Sequence, residues 1–166
     1  MLDLDSIKIR YKDFGGSWER FIDEAYQIFE RDFIIDMPLF RGHYVDFSDK
    51  RKLDSNKEEG FWHLTSRDYP VLVKGKMTKE RKPDFDRTER IRWIKEIIEN
   101  SEDSSVLVWL DPKSFKVPRY HLWYNKEFLV VLNDTDNSGL YSLITSFYTC
   151  KESKKRWYWE EYCRWK

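Results

Sequence analysis

The chain's best candidate for moving a proton near neutral pH is His63, since an imidazole ordinarily titrates at about 6.5. It lies in residues 60–66, GFWHLTS, between Trp62 and Leu64. Those apolar neighbours also fit a histidine satisfied inside a core, while the Thr65, Ser66 and Arg67 that follow supply polar company for catalysis. A second feature is PDFDRTERIRW, residues 83–93, which sets Arg87, Arg90 and Arg92 in the first two turns of an expected helix. Cations there oppose the helix dipole, so helix stability does not account for them. Guanidinium groups stay charged and grip phosphate oxygens in pairs, so Arg87 and Arg90, three residues apart on one face, are fitted to stabilise an oxyanion. Arg92 points about 200° away from Arg90. Ordinary pairing with Asp84, Asp86 and Glu89 is the equal alternative. Residues 140–149, LYSLITSFYT, put Thr145 and Tyr148 on opposite faces of a regular strand, a composition that is also ordinary β-sheet.

The elements that must carry these groups follow from periodicity. Ser17 is expected to cap a helix reaching Arg31, with Trp18, Phe21, Ile22, Ala25, Ile28 and Phe29 as its apolar stripe. Residues 7–11 read as a short strand. Pro38 and Gly42 break the apolar run of residues 33–47 into short strands or a turn. Residues 48–59 and 74–82 read as loops, the second of them basic. Asp86 should cap a second helix whose buried stripe is Ile91, Ile94, Ile97 and Ile98, ending at Asn100 and Ser101. Residues 106–110, 117–124, 128–132 and 140–149 read as strands, the third of them central because it is apolar throughout. Asn137, Ser138 and Gly139 supply a turn before the last strand, and residues 151–165 read as a final helix. The expected fold class is α+β: N-terminal helices packed on a four-stranded antiparallel sheet, with a C-terminal helix.

Composition bounds the function. Aromatic residues reach 17%, which excludes a disordered chain despite 36% charged residues. No run approaches the ~20 apolar residues of a membrane span. The first residues, MLDLDSIKIR, lack the basic and apolar regions of a signal peptide, so no membrane partner and a cytoplasmic location are expected. Cys150 and Cys163 have no CxxC spacing and read as reduced, buried small hydrophobes. His43, His63 and His121 are too scattered for a metal site, and no cofactor is expected. Net charge is zero but uneven: residues 1–60 carry −4, 61–92 carry +4, 93–150 carry −3 and 151–166 carry +3. Two basic segments that converge in space would present one phosphate-binding face.

Taken in order, FWHLTS, PDFDRTERIRWIKEIIEN, VLVW, RYHLWY, FLVVL, LYSLITSFY and a Lys/Arg-rich tail resemble one family. The series, over residues 60–148, is similar to the phage-associated members of the barnase, EndoU, colicin nuclease and RelE-like (BECR) superfamily. The resemblance implies a nuclease core over residues 60–166 and an N-terminal helical, variable extension of the same domain over residues 1–59. It implies metal-independent endoribonuclease activity, in which a ribose 2′-hydroxyl attacks the adjacent phosphorus and leaves a 2′,3′-cyclic phosphate and a 5′-hydroxyl. His63 would be the acid or base, Arg90 and Arg119 would stabilise the phosphate with Arg87 as a third, and Thr145 and Tyr148 would bind or orient it. Arg67 and Lys154 are expected to bind substrate as well. Trp62, Trp123, Tyr124 and Trp157 are candidates for stacking bases. The implied partners are RNA (tRNA or other single-stranded regions) and an inhibitor protein, in the setting of a phage or toxin-type effector. A catalytically silent RNA-binding or protein-inhibiting module on the same fold is the competing expectation.

Overall fold

The Arg20 N–H donates to Ser17 Oγ at 3.3 Å, and this cap starts helix α1 (Trp18–Phe29). Its buried residues, Phe21, Ile22, Ala25, Ile28 and Phe29, are the stripe read from the sequence except Trp18, which is half-buried. The computed structural model describes residues 1–113, 116–135 and 138–166. Before α1 the chain makes 3₁₀ turns at Asp5–Ile7 and Tyr11–Phe14, so the short strand expected at residues 7–11 is absent. After α1 a π-helical stretch, Glu30–Ile35, leads into a hairpin of β1 (Leu39–Phe40) and β2 (His43–Phe47). Its two-residue turn, Arg41 and Gly42, has positive φ at both positions, as tight hairpins favour.

Helix α2 (Glu59–Thr65) follows, then a second hairpin of β3 (Ser66–Val73) and β4 (Lys76–Pro83). This hairpin replaces the basic loop expected at residues 74–82. Two short helices come next, α3 (Phe85–Thr88) and α4 (Ile91–Glu99). Strands β5 (Val106–Asp111), β6 (Arg119–Tyr124), β7 (Phe128–Asn133) and β8 (Tyr141–Tyr148) then lead to α5 (Glu152–Trp165). Part of the turn expected before β8 falls on Asn137, which lies outside the described residues.

The α+β class holds, but the four-stranded antiparallel sheet does not. The main sheet has six strands in the order β1-β2-β8-β7-β6-β5, and it is mixed, because β2 pairs with β8 in parallel. The two extra strands come from residues 39–47. There Pro38 and Gly42 connect strands rather than end a sheet, and Val45 and Phe47 turn their side chains into the core. The register of β2 against β8 joins residues nearly a hundred positions apart, so no local pattern announces it.

Both sheet faces are covered. Phe128, Val130 and Leu132 of β7 face α1 and α4, while Leu129 and Val131 face α5 through Trp109, Trp123 and Tyr158. Burial on both faces explains why this central strand reads as continuously apolar. On the α5 side His121 stacks on the Trp109 ring, centroids 4.9 Å apart and nearly parallel. Burial there pushes its pKa down to about 4, against the effect of nearby Asp111. The unfolded chain protonates this imidazole near its ordinary 6.5 and the fold does not. His121 therefore withdraws stability as pH falls from 6.5 towards 4, by up to about 1.4 kcal/mol per pH unit. We expect His121→Phe to flatten that acid slope in urea titrations between pH 7 and 4.5, and an unchanged slope would refute the assignment.

Candidate active site

Helix α2 carries His63 and has no side-chain cap: Glu58 at its start makes no capping bond. Instead its first amides are satisfied by the chain just after β2, with the Glu59 N–H donating to the Arg51 carbonyl at 2.8 Å and the Gly60 N–H to the Asp49 carbonyl at 2.9 Å. The approach is close enough to require glycine. A Cβ on Gly60 would overlap the Ser48 carbonyl oxygen and lie 2.6 Å from Phe47 Cδ2. Gly60→Ala should therefore cost about 1–3 kcal/mol through overpacking against backbone that cannot yield. A urea midpoint equal to that of the parent protein would show the approach to be looser than this.

The sheet opens at this point. β2 stops at Phe47 opposite Leu143, leaving the edge of β8 free from Ile144 onward. Ile144 is also the extra residue of a β-bulge, since Val131 pairs with Thr145 and Leu132 with Leu143. The bulge overturns the even alternation expected along this strand: Tyr141 and Leu143 face the main core, whereas Ile144 and Phe147 face α5. The end of α2 and the whole of α3 fill the notch. His63 and Ile144 line the same cleft there. Arg87 donates to the Ser66 carbonyl at 2.9 Å, to the His63 carbonyl and to Thr145 Oγ1 at 3.3 Å. Arg87 is only 7% exposed, and burial draws its pKa down to about 10, which leaves it a cation at neutral pH.

The helix start differs from the expected one. Asp84, not Asp86, is the cap, accepting from the Arg87 N–H at 3.2 Å and pairing with the Arg67 side chain. A break at Glu89 and Arg90 then separates α3 from α4, so Arg87 and Arg90 do not share a helix face. Arg90 stands at the N-cap position of α4 without a side-chain capping bond, and its guanidinium lies 5.1 and 4.5 Å from the centroids of the Trp93 and Tyr148 rings. It donates to the Asp86 carbonyl at 2.9 Å.

Around the notch lies an open cleft of about 600 Å³, lined in part by Asp49, Glu59, His63, Arg67, Asp68 and Arg81. His63 reaches solvent, yet the concave wall around it removes much of its hydration. That desolvation, with the charge of Arg87, holds its pKa below the ordinary 6.5 and keeps the imidazole neutral at pH 7. Glu59 stands one turn before it on the same face of α2 and pairs with Arg81 at 2.5 Å. Arg81 in turn lies 5.5 Å from the centroid of Trp62. A smaller recess of about 300 Å³ adjoins the cleft through Arg67 and Arg87, and is lined also by Tyr148, Lys151 and Lys154.

The chain matches no family model, no curated protein and no solved structure.

Of the residues singled out in the sequence, the fold gathers His63, Arg67, Arg87, Thr145, Tyr148 and Lys154 around these two adjoining spaces. Arg90 lines neither. Arg119 is two strands from β8, donating to Asn133 Oδ1 at 3.1 Å, while the cleft lies at the opposite edge of β8. Among the stacking candidates Trp123 and Tyr124 are core residues, Trp62 forms part of the cleft wall and Trp157 is exposed on α5. Both cysteines are exposed rather than buried, Cys150 in the wall of the smaller recess. Glu59, Asp49, Asp68 and Arg81 line the cleft and were not singled out. The four-residue spacing of Glu59 and His63 would have marked Glu59 had the segment been read as helix; the hairpin register, which sets Asp68 opposite Arg81, would have marked the other pair. Among the described residues no three His, Cys, Asp or Glu side chains form a group able to hold a metal ion, and no helix is long and apolar enough to cross a membrane.

Proposed function

We propose that this protein is an endoribonuclease that cleaves RNA by attack of a ribose 2′-hydroxyl on the adjacent phosphorus, without a metal. The observation that carries the reading is the company of His63. A neutral, solvent-reachable imidazole stands in an open cleft beside two arginines, Arg67 and Arg87, that line both the cleft and a cationic recess. In the reaction one proton leaves the 2′-hydroxyl and one is delivered to the departing 5′-oxygen, while negative charge gathers on the phosphate. His63 takes the first proton. The imidazolium so formed is the proton donor for the departing 5′-oxygen, and Arg67 and Arg87 supply fixed positive charge. The resemblance to the BECR nucleases supports the same chemistry, and with it a cytoplasmic RNA target, an inhibitor protein and an effector role. The test is incubation of the protein with RNA in EDTA. Products ending in 2′,3′-cyclic phosphate are expected; no cleavage from pH 5 to 9, or products ending in a 3′-hydroxyl, would sink the reading.

A silent RNA-binding module is the second reading, and one observation favours it. The arginines of the cleft already have acceptors: Arg81 has Glu59, Arg67 has Asp84, and Arg87 has two carbonyls and a hydroxyl. That reading predicts salt-sensitive RNA binding with no product.

A further inference from the structure

The cleft and the recess beside it differ in chemistry. Three carboxylates, Asp49, Glu59 and Asp68, line the cleft together with His63. Among the described residues no carboxylate lines the recess, whose cations are Arg67, Arg87, Lys151 and Lys154 and whose remaining wall includes the rings of Phe147 and Tyr148. These cations come from the two basic segments of the sequence, which meet here. Resting on the nuclease reading above, we propose that the recess is a second phosphate subsite, holding the phosphodiester next to the one presented to His63. The substrate is then a polynucleotide strand with consecutive phosphates rather than a single nucleotide.

Four observations carry this. Arg67 and Arg87 line both spaces, so neighbouring phosphates of one strand fall within reach of the same guanidinium groups. Arg87 is 7% exposed and its Nε has no hydrogen-bond partner among the described residues, while its two terminal nitrogens make three hydrogen bonds. Lys151 and Lys154 are exposed, and neither has a carboxylate partner among the described residues, since Glu152, the nearest acid in sequence, pairs with Lys155. Finally, cations pack on the rings of the wall: Lys154 Nζ lies 4.6 Å from the Phe147 ring centroid and the Arg90 guanidinium 4.5 Å from that of Tyr148. A space lined with cations and, among the described residues, without a carboxylate favours an anion, and rings beside it suit the sugar and base that accompany a phosphate. Cleft and recess thus divide the work, proton transfer in one and strand holding in the other.

Cys150 reports on the recess directly, because its thiol is exposed in the wall, while Cys163, exposed at the far end of α5, serves as an internal control. Alkylation of both by iodoacetamide is followed by mass spectrometry on the full chain. The probe is a short deoxyribo-oligonucleotide, which has phosphodiesters but no 2′-hydroxyl and so binds without being cut. At low salt it should slow alkylation of Cys150 at least fivefold and leave Cys163 unchanged. In a Lys151→Ala, Lys154→Ala variant the protection should vanish, and KM for RNA cleavage should rise about tenfold with kcat within twofold. Inorganic phosphate at the same phosphate concentration, and polyglutamate at the same charge, should protect several-fold less. Equal alkylation with and without oligonucleotide, equal protection in the double variant, or equal protection by phosphate or polyglutamate would each overturn the proposal. Protection without any cleavage of RNA would instead remove the nuclease reading and leave the recess standing as a strand-binding site. Cleavage without protection would do the reverse.

Discussion

Replacing His63 with Gln should slow RNA cleavage by about 10²–10⁴-fold, the usual worth of a positioned proton-transfer group. The fold should barely notice. His63 is an exposed residue, so stability should stay within about 0.5 kcal/mol of the parent protein. The pH profile tests the role more sharply than the loss of rate. Desolvation first, and the charge of Arg87 second, hold the imidazole below its ordinary 6.5. A base must be unprotonated to act, so the rate should rise with pH through a midpoint under 6.5 and then level off. A rate that instead falls with rising pH would make His63 the acid. A His63→Gln protein as active as its parent would remove His63 from the chemistry altogether.

The second large effect is structural. Arg87→Ala should destabilise the fold by about 3–5 kcal/mol, because it removes a buried cation that ties the end of α2, the start of β3 and the free edge of β8 together. Two carbonyls and the Thr145 hydroxyl would be left without that donor, and Asp84 would lose a neighbouring cation. Arg87→Lys should recover only part of the loss, since one ammonium on a flexible stem cannot span three acceptors set around a planar fork. The measurement is urea denaturation of the two variants beside the parent. A loss under 1 kcal/mol in Arg87→Ala would mean that the notch at β8 is held by other contacts. The same variants should lose activity for two reasons at once, which makes Arg87 a poor choice for testing catalysis and leaves His63 the cleaner one.

What the sequence alone determined is local. α1, α5 and the strands β5 to β8 announce themselves through stripes and alternations within a dozen residues, and the apolar run of β7 rightly marked it as central. His63, Arg67, Arg87, Tyr148 and Lys154 could be named as chemically apt from residue type and company. The rest needed tertiary structure, for particular reasons. α2 is seven residues long, buried at Phe61, Trp62, Leu64 and Thr65, and capped by backbone carbonyls of residues 49 and 51, so it shows neither a one-sided stripe nor a capping side chain. Without that helix, the placement of Glu59 and His63 on one face is invisible. The β3–β4 hairpin is exposed over most of its length, so burial imposes no hydrophobic alternation on it. Arg90 and Arg119 look like phosphate ligands by type, yet one is enclosed between Trp93 and Tyr148 and the other lies on the wrong side of β8. For His63 itself, the sequence supplied a proton-transfer group whose apolar neighbours favoured a core residue over a catalyst. Only the early end of β2 and the bulge at Ile144, products of pairing between distant segments, opened the notch that sets it beside Arg87 and in contact with solvent.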